Sequence, residues 1–190
     1  MISCKEYSTK EKERIKKFIK DQTAKPKLCV IQIGDNQASN SYIKGKKKDC
    51  EEVGIICKHY KFTENIDQKI IEDTIYRLNK DHSVNGIIIQ LPIPKKFDLL
   101  KLQSFISPEK DVDGFRPDSY FTPCTPKGIV NWLSFNNYNF NGCKAVVIGR
   151  SAIVGKPLAQ LLIDFNCTVT SCNSHTKNIA EYTKNADLII

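Results

Sequence analysis

No apolar run in the sequence approaches the roughly 20 residues that a membrane-spanning helix requires. The opening stretch, MISCKEYSTKEKERIKKF, is charged from the start and has no apolar h-region. These absences argue against a helical membrane protein and a secreted one, and they predict a soluble, cytoplasmic chain. None of the eight cysteines forms a C-x-x-C pair, and the three histidines (His59, His82, His175) lie far apart. We therefore expect reduced, packing cysteines and no metal site. The net charge of +8 suits anionic ligands. However, no aromatic-interleaved basic motif or helix-turn-helix signature accompanies it, so nucleic acid is not an expected partner. With 41% hydrophobic residues in 190, there is enough apolar material for one large or two small domains.

A second absence lies in the most informative stretch, KAVVIGRSAIVGKP (Lys144–Pro157). The run Ala145 to Ile148 reads as a strand. Gly149, Ser151 and Gly155 then punctuate a turn, and Pro157 sits in the first turn of a helix. A strand–turn–helix junction offers free backbone N–H groups and the positive end of a helix dipole to an anion. Yet the G-x-G-x-x-G spacing is not met: Ser151 takes the second glycine position, and the last glycine comes one residue late, at Gly155. As a bare pattern this fits a ligand-free turn as well as a phosphate site. The next strand, CTVTSC (Cys167–Cys172), lacks the acid that would bind a ribose 2′-hydroxyl. It runs instead into Asn173, Ser174, His175 and Thr176, while Arg150 sits in the turn. A guanidinium and hydroxyls in place of a carboxylate favour a 2′-phosphate, hence NADP over NAD.

Upstream, Ile15, Phe18 and Ile19 predict an amphipathic helix over about 9–22. Strands are predicted at Leu28–Ile33, Ile56–Phe62 and Gly86–Leu91. Helices are predicted at about 38–53, stopped by Gly54, and at about 67–79 and 99–106. The repeated strand–helix order predicts an α/β fold with a mostly parallel sheet covered by helices. A polar, proline-punctuated connection runs from Ser107 to Pro123. We place a domain boundary at its end, giving domains 1–122 and 123–190. After a helix over about 125–136, the organising strand begins the second domain. The final DLII reads as a strand in which the chain stops, leaving an apolar edge that natural domains avoid. This predicts a C-terminally truncated chain with an incomplete Rossmann-like domain.

In the helix beginning near Ala38, at about 100° per residue, Lys46 and Tyr42 share an angular sector with Ile43, Cys50 and Val53. Lys44, Lys48, Glu51 and Glu52 lie elsewhere. Either the Lys46 stem runs along the edge to water, or it lines a cleft where desolvation favours the neutral amine and suits it to proton transfer. Tyr42 stacks on a flat ligand or simply packs. Gln90 ends an apolar strand at the carboxyl edge, where open α/β sheets place ligands. Asp111 and Asp113 flank Val112, and alternation would send both carboxylates to one side; a solvated turn explains them equally well.

Five motifs in one order, SYIKGKKKDCEEVGI (Ser41–Ile55), GIIIQLPIP (Gly86–Pro94), PEKDVDGFRP (Pro108–Pro117), PCTPKGIV (Pro123–Val130) and VVIGRSAIVGKP (Val146–Pro157), resemble the bifunctional methylenetetrahydrofolate dehydrogenase/methenyltetrahydrofolate cyclohydrolase family. The resemblance implies two α/β domains, folate bound in a cleft between them, NADP on the second domain, and a homodimer. It implies that Tyr42 stacks on the folate, Lys46 is the catalytic lysine, Gln90 pairs with it, Leu91 adjoins the substrate, and Asp113 recognises the pterin. It also implies that Arg150 and Ser174 hold the 2′-phosphate, and that Gly149, Ser151 and Gly155 form the phosphate turn.

The implied chemistry is hydride loss from 5,10-methylenetetrahydrofolate to NADP⁺, then hydrolysis of the methenyl cation to 10-formyltetrahydrofolate, within one-carbon metabolism serving purine biosynthesis. The chain departs from the family at Asn173, where histidine or arginine is common, and in a shorter opening. The Tyr-x-x-x-Lys spacing of Tyr42 and Lys46 also fits short-chain dehydrogenases, but in those the glycine turn precedes the tyrosine. A binding-only fragment or paralogue is the non-enzymatic alternative.

Overall fold

The computed structural model describes residues 2–190. It divides the chain into two compact units. The first is Ser8–Phe121; the second is Thr122–Ile190 together with the N-terminal residues through Tyr7.

The first helices start where polar caps dictate. Helix α1 (Cys4–Lys20) begins five residues before the expected position and stops two short of it. Its apolar periodicity opens only at Ile15, but Ser3 Oγ accepts the Glu6 N–H at 3.1 Å and caps the helix well upstream. Helix α2 (Gln37–Val53) is capped by Asn36, whose side chain accepts from the Ser39 N–H, and it closes on Gly54 at φ 90°. There the Ile55 N–H returns to the Cys50 carbonyl at 2.8 Å, satisfying one of the helix's last carbonyls. Helix α3 (Gln68–Lys80) is capped by Asp67.

In the first unit, β1 (Lys27–Ile33) lies between β2 (Ile56–Phe62) and β3 (Gly86–Ile89), all parallel. Alternation along β1 sends Cys29, Ile31 and Ile33 into a core with Ile71, Ile75 and Leu78 of α3 and Leu102 of α4 (Leu99–Ser104). The opposite face carries Gln32, whose amide reaches Asn40 of α2 at 2.7 Å. Helices thus cover both faces, the expected consequence of parallel pairing. Strand β3 is shorter than the GIIIQL run; Gln90 still donates its N–H to the Ile31 carbonyl at 2.8 Å, but Leu91 and the cis-linked Pro92 leave the ladder.

In the second unit, β4 (Lys144–Ile148) pairs in parallel with β5 (Thr168–Cys172) and β6 (Leu188–Ile189). Ala145 and Val147 pack with Val130 and Leu133 of α5 (Cys124–Phe135) and Leu158 and Leu162 of α6 (Gly155–Asp164). The five-residue α7 (Ile179–Thr183) was not expected; it buries no residue, so periodicity had nothing to register. Residues near the N-terminus join this unit through Trp132, whose indole N–H donates to the Ile2 carbonyl at 3.0 Å. The Tyr7 and Phe135 rings also meet there, at 5.1 Å. No helix among the described residues is long and apolar enough to cross a membrane.

Candidate functional site

Lys46, Gln90 and Asp113 all fall in the first unit. Gln90, just past β3, is 9% exposed. Its Nε2 donates to the Leu91 carbonyl at 2.8 Å, and Ser39 Oγ donates to the same oxygen at 3.2 Å. That bond fixes the amide nitrogen and leaves Oε1 buried with no hydrogen-bond partner among the described residues. An open buried acceptor costs about 1–3 kcal/mol, so the oxygen marks a place for a donor.

Lys46 lies on α2 between the buried Ile43 and Cys50. It is half-buried, whereas Lys44, Lys47 and Lys48 are exposed. Its ammonium makes no hydrogen bond or ion pair among the described residues. Its charge is nevertheless felt at Asp113: burial pushes that carboxyl above the ordinary range, the nearby Lys46 ammonium pulls it partly back, and Asp111 adds to the rise. An amine close enough to act on a desolvated acid, without pairing to it, leaves both groups open to a ligand. Tyr42 is 69% exposed, so its ring is not part of a core. With Ser41, Gly45, Lys46 and Asp49 it lines an open depression of about 330 Å³ along α2.

Of the two readings of Asp111 and Asp113, alternation or a turn, the turn is found: residues 111–114 close with the Gly114 N–H on the Asp111 carbonyl at 3.0 Å. Asp111 is buried, and its Oδ2 accepts the Arg116 N–H at 2.9 Å, a structural bond. Only Asp113 keeps its carboxylate unengaged.

In the second unit, β4 delivers Gly149 at φ 133°. Ser151 then ties the turn to the start of α6: its Oγ accepts the N–H groups of Val154 at 3.2 Å and Gly155 at 3.3 Å, and its carbonyl accepts that of Lys156 at 3.0 Å. The free donors are therefore those of the turn itself, residues 150–153, rather than the first N–H groups of the helix. At Gly155 a Cβ would stand 2.2 Å from the Gly149 oxygen, so glycine is what lets helix and turn close. Arg150 and Ser174 are exposed. Cys172 ends β5 buried, and a turn follows in which the Thr176 N–H meets the Asn173 carbonyl at 2.9 Å. Among residues 173–178 there is no carboxylate, and the open backbone donors of the turn suit an anion. Among the described residues no group of His, Cys, Asp and Glu could hold a metal.

Two supports escaped the sequence reading. Ser39 steadies the Leu91 carbonyl, and its place just inside a helix gave no signal. Val112 packs under Gly86, where a Cβ would come within 2.7 Å of its Cγ1; a glycine opening an apolar strand is the mark of such a close approach.

An α/β unit with an open acid, amine and amide oxygen, in one chain with a strand–glycine turn–helix unit, defines a nucleotide-dependent two-domain enzyme. The tetrahydrofolate dehydrogenase/cyclohydrolase catalytic domain matches residues 2–113, and the NAD(P)-binding domain of the same family matches residues 123–190. The bifunctional protein FolD of Caldanaerobacter subterraneus is 43% identical, with the alignment covering 100% of this chain and 71% of the relative. The crystal structure of the Campylobacter jejuni bifunctional FolD superposes with a TM-score of 0.94 at 41% identity, covering 98% of this chain and 71% of that one. The Trypanosoma brucei FolD, solved with NADP cofactor and inhibitor, gives a TM-score of 0.93 at 25% identity, covering 100% and 70%. The chain belongs to the tetrahydrofolate dehydrogenase/cyclohydrolase family.

Proposed function

We propose that the chain oxidises 5,10-methylenetetrahydrofolate to the 5,10-methenyl cation with NADP⁺ and hydrolyses that cation to 10-formyltetrahydrofolate. The observation that carries this reading is the buried, unpartnered Gln90 Oε1. It stands in the same unit as a lysine unpaired among the described residues and a half-buried acid.

Asp113 accepts N–H groups of the pterin, a polar ring that can satisfy a carboxylate held from water. Tyr42 stacks on the ring, and Leu91 borders it. NADP⁺, held by Gly149, Arg150, Ser151, Gly155 and Ser174, supplies the hydride acceptor. Much of the rate of hydride transfer then comes from orientation of the bound folate. In hydrolysis, water forms a bond to the one-carbon bridge and gives a proton to the Lys46 amine. The C–N5 bond then breaks as the carbon–oxygen bond becomes the formyl carbonyl; N5 takes the proton held by Lys46, and the remaining hydroxyl proton leaves to solvent, so one proton is released overall. Gln90 Oε1 accepts from the Lys46 nitrogen and orients it for both transfers. The enzyme works as a cytoplasmic homodimer, and its product supplies purine biosynthesis.

A coupled assay that follows NADPH formation and methenyl loss separately tests the reading. Lys46→Met abolishes hydrolysis while folate still binds; undiminished cyclohydrolase activity in that variant refutes the assignment.

A further inference from the structure

We propose that Lys110 is a positioning residue for this reaction, anchoring to the C-terminal end of α3 the turn that carries Asp113. The inference rests on the assignment of Asp113 to the folate ring.

Lys110 is 9% exposed, a rare state for lysine unless its ammonium is fully engaged. Here it is engaged entirely by backbone. Nζ donates to the carbonyls of Leu78 at 3.0 Å, Asn79 at 2.7 Å and Asp81 at 2.9 Å. The last carbonyls of a helix lack partners and carry its negative dipole end, so an ammonium is matched to them in both hydrogen bonding and charge. An ammonium has three donors and no acceptor, so nothing remains for a substrate. That separates Lys110 from Lys46, whose ammonium is unengaged.

The same residue ties the turn to the sheet, since its carbonyl accepts the Ile87 N–H at 2.8 Å, just inside β3. Lys110 therefore joins α3, the strand leading to Gln90, and the turn leading to Asp113. The following residues are fixed in their turn: Asp111 by the Arg116 N–H and by Ser119 Oγ, which donates to its carbonyl at 2.9 Å, and Val112 by its seat under Gly86. Gly114 closes the turn at φ 68°. Asp113, by contrast, has no hydrogen bond among the described residues to set its position. Its distance from Lys46 and Gln90 is inherited from the anchorage around it, in which the Lys110 ammonium is the buried cation.

The test uses the full chain carrying Lys110→Met or Lys110→Arg, alone and combined with Asp113→Asn, with thermal melts alongside steady-state kinetics. Lys110→Met raises KM for methylenetetrahydrofolate about tenfold, as a small misplacement of a binding group does. KM for NADP⁺ does not move, and Lys110→Arg recovers most of the loss. In the Asp113→Asn background Lys110→Met adds less than about twofold, because the group it positions is already gone. Additive losses, or an equal rise in both KM values, reduce Lys110 to a stabilising cap and overturn the proposal.

A carbon-detected titration of the Asp113 carboxyl gives a readout independent of turnover. Lys110→Met returns it toward the ordinary carboxylate range, and an unmoved titration overturns the positioning role. A wild-type chain without turnover, in which that titration still responds to Lys110→Met, sinks the proposed activity and leaves the positioning role standing.

Discussion

Gly155→Ala should damage the phosphate turn by adding a single methyl group. That methyl would lie 2.2 Å from the Gly149 oxygen, 2.6 Å from its carbonyl carbon and 2.9 Å from the Arg150 nitrogen. Ordinary contact begins at 3.4 Å, and all three atoms are backbone, so no side-chain tip can swing aside. Either α6 withdraws from β4 by roughly 1 Å or the turn flattens; overpacking of this kind costs about 1–3 kcal/mol. The helix-propensity gain of alanine over glycine, about 0.5–1 kcal/mol in a helix interior, offsets only part of it. The turn donors at 150–153 move with the strain, and a net loss of about 1.4–2.7 kcal/mol in ligand contacts corresponds to a tenfold to hundredfold weaker NADPH affinity.

Gly128→Ala is the matched control. Gly128 is exposed in α5 with nothing within 4 Å of an added Cβ, so the same change stabilises by about 0.5–1 kcal/mol. Urea denaturation midpoints and NADPH fluorescence titrations on both variants provide the assay. Wild-type affinity together with an undiminished midpoint in Gly155→Ala would refute the reasoning, because the clash it depends on would then be absorbed freely.

Two further outcomes are expected. His59 is held below its ordinary pKa by burial, then by Lys47 and Lys61. Its neutral form is built into a chain in which Nε2 meets Gln32 Oε1 at 2.9 Å and Nδ1 meets Lys47 Nζ at 3.2 Å. The unfolded chain takes up this proton first, so stability is retained above an unfolded pKa of about 6.5 and declines as pH falls through the lower folded value. His59→Gln should flatten that slope in denaturation midpoints measured from neutral to mildly acidic pH, and an unchanged slope tells against it. Arg150 is exposed and unpaired among the described residues, so Arg150→Ala should erode the preference for NADP over NAD while leaving the melting temperature within the small range usual for surface changes; a wild type with no such preference removes the 2′-phosphate assignment.

The strand and helix order was legible because each element carries its own period. The run KLCVIQI pairs as β1, Ile70 to Leu78 carry the helical spacing of α3, and the Asn36 and Gly54 signals bracket α2 closely. Lys46 stood out by angle alone, and the structure finds it half-buried among exposed lysines. The start of α1 was missed because a Ser3 cap lies far from the first apolar residue, and α7 because it buries nothing. Both failures have one cause: periodicity reports burial, and neither of those ends is set by burial.

The site's supports were illegible for a deeper reason. Ser39 meets the Leu91 carbonyl across 52 positions, and Lys110 meets the end of α3 across about 30. A carbonyl is the same acceptor in every residue, so no sequence position advertises that it is the partner. A carboxylate pair such as Asp111 and Asp113 advertises itself twice and still leaves the choice open, because spacing cannot say which acid the backbone will consume. What distinguishes the two is accounting for donors: the Arg116 N–H is spent on Asp111, the Lys110 ammonium on a helix end, and Asp113 is left over. Chemistry-bearing groups in such a site are those the fold declines to satisfy. The test of that view is whether removing a satisfied neighbour, Lys110, disturbs the unsatisfied one.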